Sequence, residues 1–470
     1  MAALMVMKSH VNSGVSHVAI EMLKTIEPRL LELLDRADMN IGMRLYLNLM
    51  FDLPHIRDDV PANSTLVKRL AHAYLRYLDA KALAEDHYAI DFPRDTNPNR
   101  PLRIGFISKH FRRHSVGWLS VDVIEELVKL TPHVFLYVTG DMNRDHLTER
   151  FDAAAERFVH PEKTLSTADY LKEIAQDKLD VLVDMDSVTV MPHLEILHRH
   201  PAPLCLTWLG FDAPYLNPKH YYFGDRYTHP EGVDEHYIEQ VVRLPDSFAA
   251  TKGLPIDTTK DRETIRKSMR IAPNQVAYLC VATGNKFCPE MVSAQVEILK
   301  RVPDSLLLYK GRVGDLDAIK QEYQVECTKQ GVRINRIHVL PRTATEEEHR
   351  LIYQFADVLI DSYPYSGATH VVEALWFDMP VVAKVADQSF GRQAYSLIKA
   401  AGSDMGITFD WPSYIDCAVK FGLDANERQK MRSQLERGKR PESLAPLWNP
   451  AKFARDFHAL CEQLLPLQES

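Results

Sequence analysis

The stretch DVLIDSYPYSGATHVVEALWFDMPVVAK, residues 357–384, determines the fold class that we predict for this chain. It contains an apolar run at 357–361, a loop with Gly367, a helical pattern that begins near Thr369, and a second apolar run at 380–384. Strands that alternate with helices in this order form parallel sheets. The stretch therefore predicts an α/β domain with a doubly wound sheet.

Apolar runs of strand length continue this alternation toward the N-terminus, and a polar break at 246–261 divides them into two series. The runs are LRIGFI at 102–107, VFLYVT at 134–139, VLVDM at 181–185 and PLCLTWLG at 203–210 before the break, and AYLCVA at 277–282, SLLLYK at 305–310 and RIHVL at 336–340 after it. Two successive series of this kind predict two doubly wound domains.

The segment before these runs has a helical pattern. Between about 15 and 88 the apolar residues recur at helical spacing, and a proline-rich linker, DFPRDTNPNRP, follows at 91–101. We find no convincing internal repeat, so an array of helical repeats stays open. We predict a helical segment over 1–97, one domain over 98–250, and a second domain with a terminal helix over 251–470.

Composition excludes several classes of protein. The 470 residues are 46% hydrophobic and 26% charged, which is ordinary for a globular protein. The net charge is −8 and no long basic run occurs, so we expect no nucleic-acid partner. The six cysteines form no close pairs, the first residues lack the apolar core of a secretory signal, and no run has membrane length. We expect a cytoplasmic protein without a membrane partner.

Ligands of doubly wound sheets bind at the carboxyl ends of the strands, so the sequence predicts the site in the loops after the strands. The loop after 357–361 leads into a helix near Thr369, and a helix N-terminus suits a diphosphate. Glu373 lies about one turn into this helix, where its carboxylate could accept hydrogen bonds from a ribose. The alternative is that Gly367 and Thr369 only form a helix cap.

Lys286 lies in a second loop, TGNKFCP, directly after the run at 277–282. A lysine beside a helix start can neutralise a departing diphosphate, as a metal ion does in other enzymes. The alternative is a solvated lysine. His349 lies in a third loop region, after three glutamates that suit the positive end of a helix, and the helix alone does not explain the histidine.

The loop after 102–107, SKHFRRHSVGW at 108–118, carries His110 and His114 four residues apart. His114 could act as an acid or base or hold an acceptor. The alternative is a packing or solvated histidine.

The chain resembles the protein O-GlcNAc transferase and SPINDLY family from about Arg103 to Leu465. The matching blocks are RIGFIS, HSV with His114, PAPLCLTWLG, Asp225 with Pro230, Tyr237 and Glu239, ILKRVPDS at 298–305, EEEH at 346–349, ADVLID with the PYSGAT loop, and Arg392. The resemblance implies an inverting enzyme of the GT-B fold, in which two Rossmann-like domains face a cleft. It also implies that no metal or other cofactor is required.

The same resemblance assigns roles to individual residues. It makes His114 and Lys286 the catalytic residues. It implies donor-binding roles for Thr283, Lys286, Ala344, His349, Gly367, Thr369, His370 and Glu373. The implied partners are a nucleotide-sugar and a protein acceptor modified on Ser or Thr, and we keep open a homo-oligomer through the N-terminal helices.

Three positions depart from the family pattern. Ser-x-Asp-Phe reads Ser108-Lys109-His110-Phe111, the Gln or Asn three residues before Lys286 is Thr283, and Gly-His-Thr-Thr reads Gly367-Ala368-Thr369-His370. UDP-GlcNAc is the donor that we favour, and GDP-fucose and UDP-glucose stay open. The alternative functions are a catalytically silent scaffold, a nucleotide-sugar epimerase and a phosphorylase.

Overall fold

The computed structural model describes residues 2–36, 38–84, 90–94, 97, 100–254, 261–312 and 316–468. The chain divides into two compact units. The first unit comprises Arg29–Phe51, Val60–Lys252 and Asn449–Ser470, and the second comprises Met1–Pro28, Asp52–Asp59 and Gly253–Trp448. Neither unit is continuous in sequence.

The N-terminal segment is helical, as predicted. Its helices are α1 (Ala2–Asn12), α2 (Ser16–Arg36), α3 (Met39–Ile56) and α4 (Val60–Ala84). No helix among the described residues is both long and apolar enough to cross a membrane.

The first unit contains a seven-stranded sheet. Its strands are β1 (Ile104–Ser108), β2 (Val134–Val138), β3 (Arg157–Val159), β4 (Val181–Asp184), β5 (Leu204–Trp208), β6 (Tyr221–Asp225) and β7 (Gln240–Leu244). All neighbouring strands are parallel, in the order β3-β2-β1-β4-β5-β6-β7. The reversal of strand order beside β1 brings the loops after β1 and β4 to the same edge of the sheet.

Helices α5 (Ser115–Leu127), α6 (His146–Ala154), α7 (Thr167–Gln176), α8 (Met191–His198) and α17 (Pro450–Gln468) also belong to this unit. Two parts of the helical segment are hydrogen-bonded to it. The hydroxyl of Tyr46 in α3 donates to the carbonyl of Pro214 at 2.7 Å, and that of Ser64 in α4 donates to the carbonyl of His236 at 2.7 Å.

The terminal helix α17 packs against α5 and β5, although the predicted boundary placed residues 251–470 together. Contacts between aromatic rings account for this packing. Phe453 and Phe457 lie on one face of the helix, and each ring centroid is 5.5 Å from that of Trp208 in β5. Burial of these large side chains provides the apolar area that holds the chain terminus to the first unit.

The second unit contains a six-stranded parallel sheet in the order β10-β9-β8-β11-β12-β13. Its strands are β8 (Ala277–Val281), β9 (Leu306–Lys310), β10 (Ile337–Leu340), β11 (Val358–Ile360), β12 (Val381–Lys384) and β13 (Ile407–Thr408). Its remaining helices are α9 (Arg262–Ser268), α10 (Pro289–Arg301), α11 (Leu316–Gln330), α12 (Glu346–Phe355), α13 (Thr369–Trp376), α14 (Gln393–Ala400), α15 (Trp411–Leu423) and α16 (Ala425–Gly438).

The end of α3 and the residues that follow it are part of the second unit. The carboxylate of Asp58 accepts hydrogen bonds from the backbone N–H groups of Asp387 and Gln388, each at 3.0 Å, and from the Tyr363 hydroxyl at 2.8 Å. In return, the Gln388 side-chain amide donates to the carbonyl of Pro54 at 2.8 Å. These contacts attach the helical segment to the loops after β11 and β12.

Candidate active site

Lys286 lies at the carboxyl end of β8, in a short 3-10 turn at Gly284–Lys286. The backbone N–H of Gly284 donates to the carbonyl of Arg312 at 2.9 Å. The loop after β9 approaches this turn closely, because a Cβ on Gly311 would lie only 1.7 Å from the carbonyl oxygen of Ala282. The loop after β9 therefore packs closely against the turn that carries Lys286 and fixes its position.

The Lys286 amine is held by the loop after β11. Its Nζ donates to the carbonyl of Ser366 at 2.9 Å and lies 3.8 Å from the centroid of the Tyr365 ring. Burial lowers the pKa of Lys286 to about 8, although the charge of Asp361 acts in the opposite direction. The side chain is thus a cation whose solvation has been partly replaced by a carbonyl and an aromatic face.

Tyr365 is itself enclosed by two rings of the same unit. The His55 ring stacks on it with centroids 4.6 Å apart and planes inclined by 16°, and the Phe390 ring lies 4.5 Å away. His55 belongs to α3 and is buried. The N-terminal helical segment therefore contributes a side chain to the wall that supports Lys286, which the sequence did not indicate.

The buried carboxylate of Asp361 fixes the loop before α13. It accepts the backbone N–H of Gly367 at 3.0 Å and pairs with Nε2 of His370 at 3.0 Å. A Cβ on Gly367 would lie 1.9 Å from the same nitrogen of His370, so a larger residue would displace the His370 ring. Gly367 and His370 are thus brought together, as two members of the predicted donor site.

The N-terminus of α13 has no side-chain cap. Ala368 precedes the helix and makes no side-chain hydrogen bond, and the first N–H groups of a helix have no partner within it. Within the part of the chain that the structure describes, the buried hydroxyl of Thr369 also has no hydrogen-bond partner. Donor groups without partners at the positive end of a helix can bind an anionic group.

Glu373 and His349 are adjacent, but the Glu373 carboxylate is enclosed. It accepts hydrogen bonds from Nε of Arg350 at 3.0 Å and from the Tyr353 hydroxyl at 2.9 Å, and it lies 3.4 Å from Nε2 of His349. Burial alone would raise the pKa of Glu373, but His349 and Arg350 lower it. The carboxylate therefore orients His349, whereas its role as a ribose ligand stays a prediction.

Thr283 and Ala344 lie in the loops after β8 and β10. The Thr283 hydroxyl is hydrogen-bonded to Asn285, and the exposed Ala344 donates its N–H to Glu348 at 3.1 Å. Sequence reasoning missed Lys310, the buried last residue of β9, whose Nζ lies 3.4 Å from the hydroxyl of Thr343. Burial lowers the pKa of Lys310. A charged residue at the carboxyl end of an apolar strand was the signal that could have identified it.

The loop after β1 in the first unit places His110 and His114 in contact. Their ring centroids are 3.7 Å apart, with planes inclined by 17°. His114 caps α5, and its Nδ1 accepts the backbone N–H of Val116 at 3.3 Å. His110 is paired instead with the buried Asp186, at 2.9 Å between Nδ1 and Oδ1. Sequence reasoning did not select Asp186, although it follows the quoted run at 181–185.

A protein family, several named relatives and solved structures resemble this chain. The family model for glycosyl transferase family 41 matches residues 61–254 and 258–457. The chain belongs to glycosyl transferase family 41. The resemblance that the sequence motifs indicated is therefore confirmed, and with it the α/β architecture of two parallel sheets preceded by helices.

Family 41 relatives of known name are longer than this chain. A protein of Solanum lycopersicum, named probable UDP-N-acetylglucosamine–peptide N-acetylglucosaminyltransferase SPINDLY, is 24% identical over 371 residues, which is 77% of this chain and 38% of the relative. The Arabidopsis thaliana protein SEC, with the same probable activity in its name, is 26% identical over 366 residues, or 76% of this chain and 36% of the relative. The chain thus spans less than two fifths of either relative.

Two solved structures resemble 97% and 76% of this chain. A mutant of the O-GlcNAc transferase of Thermobaculum terrenum is 26% identical, with a TM-score of 0.76 over 97% of this chain and 83% of that chain. Anabaena HepE, solved with UDP and glucose, is 12% identical, with a TM-score of 0.50 over 76% of this chain and 99% of that chain. The second likeness concerns the fold alone.

Two acidic residues of the family 41 pattern have structural roles here. Asp225 accepts the backbone N–H groups of Tyr227 and Thr228 at 2.7 and 2.8 Å. Glu239 accepts the N–H of Leu216 at 2.6 Å, and burial raises its pKa to about 7. Both side chains therefore stabilise loops at the edge of the first sheet.

One group of side chains among the described residues has the composition of a metal site. Ligand atoms of His200, Cys205 and His220 lie within 4.8 Å of one another. The group lies at the amino ends of β5 and β6, whereas ligands of this family 41 fold are expected at the carboxyl ends of the strands. It is therefore separate from the candidate site.

Proposed function

We propose that this chain transfers a sugar from a nucleotide-sugar to a Ser or Thr hydroxyl of a protein, with inversion at the anomeric carbon. The observation that carries the proposal is the Lys286 amine, hydrogen-bonded to Ser366 in the loop that leads into the uncapped N-terminus of α13. A cation and a helix N-terminus connected by one short loop suit a departing diphosphate. GlcNAc from UDP-GlcNAc is the donor that we favour.

In the proposed reaction the acceptor oxygen bonds to the anomeric carbon while the bond from that carbon to the diphosphate breaks. The bonding electrons leave with the nucleoside diphosphate, whose growing charge Lys286, Thr369 and His370 stabilise. Because these groups are already in place, little reorganisation accompanies the transfer. His114, at the N-terminus of α5, orients the acceptor.

The rest of the donor site would hold the nucleotide. We propose that Thr283, Ala344 and His349 contact it, and that Glu373 acts through the His349 ring that it orients. A cytoplasmic location is also proposed. The free cysteines, with no disulfide among the described residues, support it.

The test compares donor turnover by the wild type, Lys286→Ala and Lys300→Ala. Lys300 is an exposed lysine of α10 in the same unit and serves as the matched control. Release of nucleoside diphosphate from UDP-GlcNAc, UDP-glucose and GDP-fucose is measured with an acceptor protein mixture. We expect Lys286→Ala to lose about 10²–10³-fold in kcat, since it removes one stabilising donor, and to keep the circular-dichroism spectrum of the folded wild type. Full activity of that variant would refute the assignment.

Two further outcomes identify the other functions. Conversion of the donor without an acceptor indicates an epimerase. Calorimetric titration with UDP and GDP identifies a scaffold if neither nucleotide binds, and otherwise it selects the class of donor.

A further inference from the structure

Asp186 holds one nitrogen of His110 and is itself rigidly placed. Its buried carboxylate accepts hydrogen bonds from the Lys109 N–H at 2.6 Å and the Ser108 hydroxyl at 3.0 Å, in addition to the His110 contact at 2.9 Å. All three partners come from the end of β1 or the loop after it. Asp186 therefore joins the carboxyl ends of β1 and β4, which are adjacent strands.

A second buried pair fixes the backbone that carries Asp186. The carboxylate of Asp184 accepts the N–H groups of Asp186 and Ser187 at 2.9 and 3.0 Å, and Nδ1 of His193 lies 2.7 Å from it. Both Asp184 and His193 are fully buried. The position of Asp186 is therefore set before any substrate binds, as a residue that orients another side chain requires.

The Asp186 contact determines where His110 carries its proton. Burial alone would raise the pKa of Asp186, but hydrogen bonding to His110 and the nearby His193 lower it, so the group is a carboxylate at neutral pH. A carboxylate at Nδ1 places the proton of a neutral imidazole on Nδ1 and leaves the lone pair on Nε2. No described residue is hydrogen-bonded to Nε2 of His110, and the side chain is 16% exposed.

His114 has the opposite arrangement. Because its Nδ1 accepts the N–H of Val116, a neutral His114 carries its proton on Nε2. Neither nitrogen of His114 then offers a lone pair for a new proton. Of the two stacked rings, only His110 presents one.

We propose that His110 is the catalytic base of the sugar transfer and that Asp186 is its positioning residue. This inference rests on the proposed function. As the acceptor oxygen bonds to the anomeric carbon, its proton moves to Nε2 of His110, and the electrons of the broken bond leave with the diphosphate. The resulting imidazolium is stabilised by Asp186, and its proton passes to water after product release.

The kinetic test compares His110→Asn, Asp186→Asn and the control His133→Asn. His133 belongs to an exposed histidine–carboxylate pair with Glu156 at 2.8 Å in the same unit, so it is chemically similar to the His110–Asp186 pair. With an acceptor peptide selected from a serine-centred library, we expect His110→Asn to lower kcat about 10²–10⁴-fold. Its affinity for UDP or GDP should be unchanged, whereas the pH profile of kcat/KM should change, because the group that takes up the acceptor proton is gone.

Asp186→Asn should also lower kcat strongly, because its amide oxygen must accept the Lys109 N–H and its NH2 group then faces Nδ1 of His110, which moves the His110 proton to Nε2. A peptide with cysteine in place of the acceptor serine should restore much of the rate of His110→Asn above pH 8, because a thiolate needs no base. A full kcat and an unchanged pH profile in His110→Asn would refute the assignment of His110 as the base. Turnover by the wild type would still support the proposed function.

The tautomer gives a test that needs no turnover. Long-range proton–nitrogen NMR spectra of histidine-labelled protein, assigned with His110→Asn and His114→Asn, should show His110 protonated on Nδ1 and His114 on Nε2. Protonation of neutral His110 on Nε2 would refute the proposal whether or not the enzyme is active.

Discussion

The Nζ of Lys286 lies 3.8 Å from the centroid of the Tyr365 ring. The ring face, rather than the hydroxyl, supports the cation, so Tyr365→Phe should keep wild-type kcat. Tyr365→Leu removes the ring and should lower kcat about threefold to thirtyfold, the equivalent of a partly buried cation–π contact. Steady-state kinetics with the preferred donor measure both variants, and equal losses in the two would show that the hydroxyl matters instead.

Binding of nucleoside diphosphate should weaken as the pH rises through about 8, the lowered pKa of Lys286. The ammonium that attracts the diphosphate is lost above this value, so we expect about tenfold weaker affinity at pH 9 than at pH 7. Calorimetry with UDP and GDP measures the change, and Lys286→Ala should show none of it. A similar pH dependence in that variant would assign the effect to another group.

The same pKa has the opposite consequence for stability. The folded protein releases the Lys286 proton at about 8 and the unfolded chain at about 10.5, so the cost of burying the ammonium is relieved over this range. The contribution of Lys286 to the free energy of unfolding should therefore rise with pH between these values. Urea denaturation of the wild type and Lys286→Ala at pH 8 and 10 measures how the free energy of unfolding of each protein changes with pH.

Gly367→Ala should destabilise the second unit by about 1–3 kcal/mol, the usual cost of overpacking. The cause is the 1.9 Å approach of the new Cβ to Nε2 of His370. In a His370→Ala background the ring is absent, so adding Gly367→Ala should cost little. Denaturation curves of the four proteins give the coupling, and additive losses would show that the two residues act independently.

Glu239 should make the first unit more stable at pH 5 than at pH 8. Its folded pKa of about 7 exceeds the reference value of 4.5, so its stabilising contribution is complete below 4.5 and is lost as the pH rises through 7. The difference is at most about 3 kcal/mol. Glu239→Gln keeps an oxygen for the N–H of Leu216 and should lose this pH dependence. If the melting temperatures of the wild type and Glu239→Gln changed equally with pH, the prediction would be contradicted.

The sequence predicted nine of the strands by their continuous apolar runs. It missed β3, β7 and β13, which lie at or near sheet edges and are short or partly exposed, and β6, whose apolar run is only three residues long. A strand with one neighbour needs less apolar surface than a central strand. Periodicity alone therefore understates the width of both sheets.

The sequence predicted those parts of the candidate site whose position depends on local sequence alone. Lys286 and the start of α13 follow strands, and any parallel sheet brings such loops to one edge. Asp186 and His55 could not be selected in this way, because each matters through a ring that lies far away in sequence, His110 and Tyr365 respectively. Such pairs arise from tertiary packing, which a single sequence does not display.

The discontinuous second unit imposes an order on biosynthesis. The ribosome makes Met1–Pro28 and Asp52–Asp59 first, but their partners in Gly253–Trp448 emerge only after all strands of the first unit. Asp58 therefore stays hydrated by water until Asp387 and Gln388 have been translated. Domains that are contiguous in sequence can fold as they emerge from the ribosome. The second unit can therefore be completed only late in translation, and a gene fragment that begins at the proline-rich linker encodes that unit without its N-terminal segments.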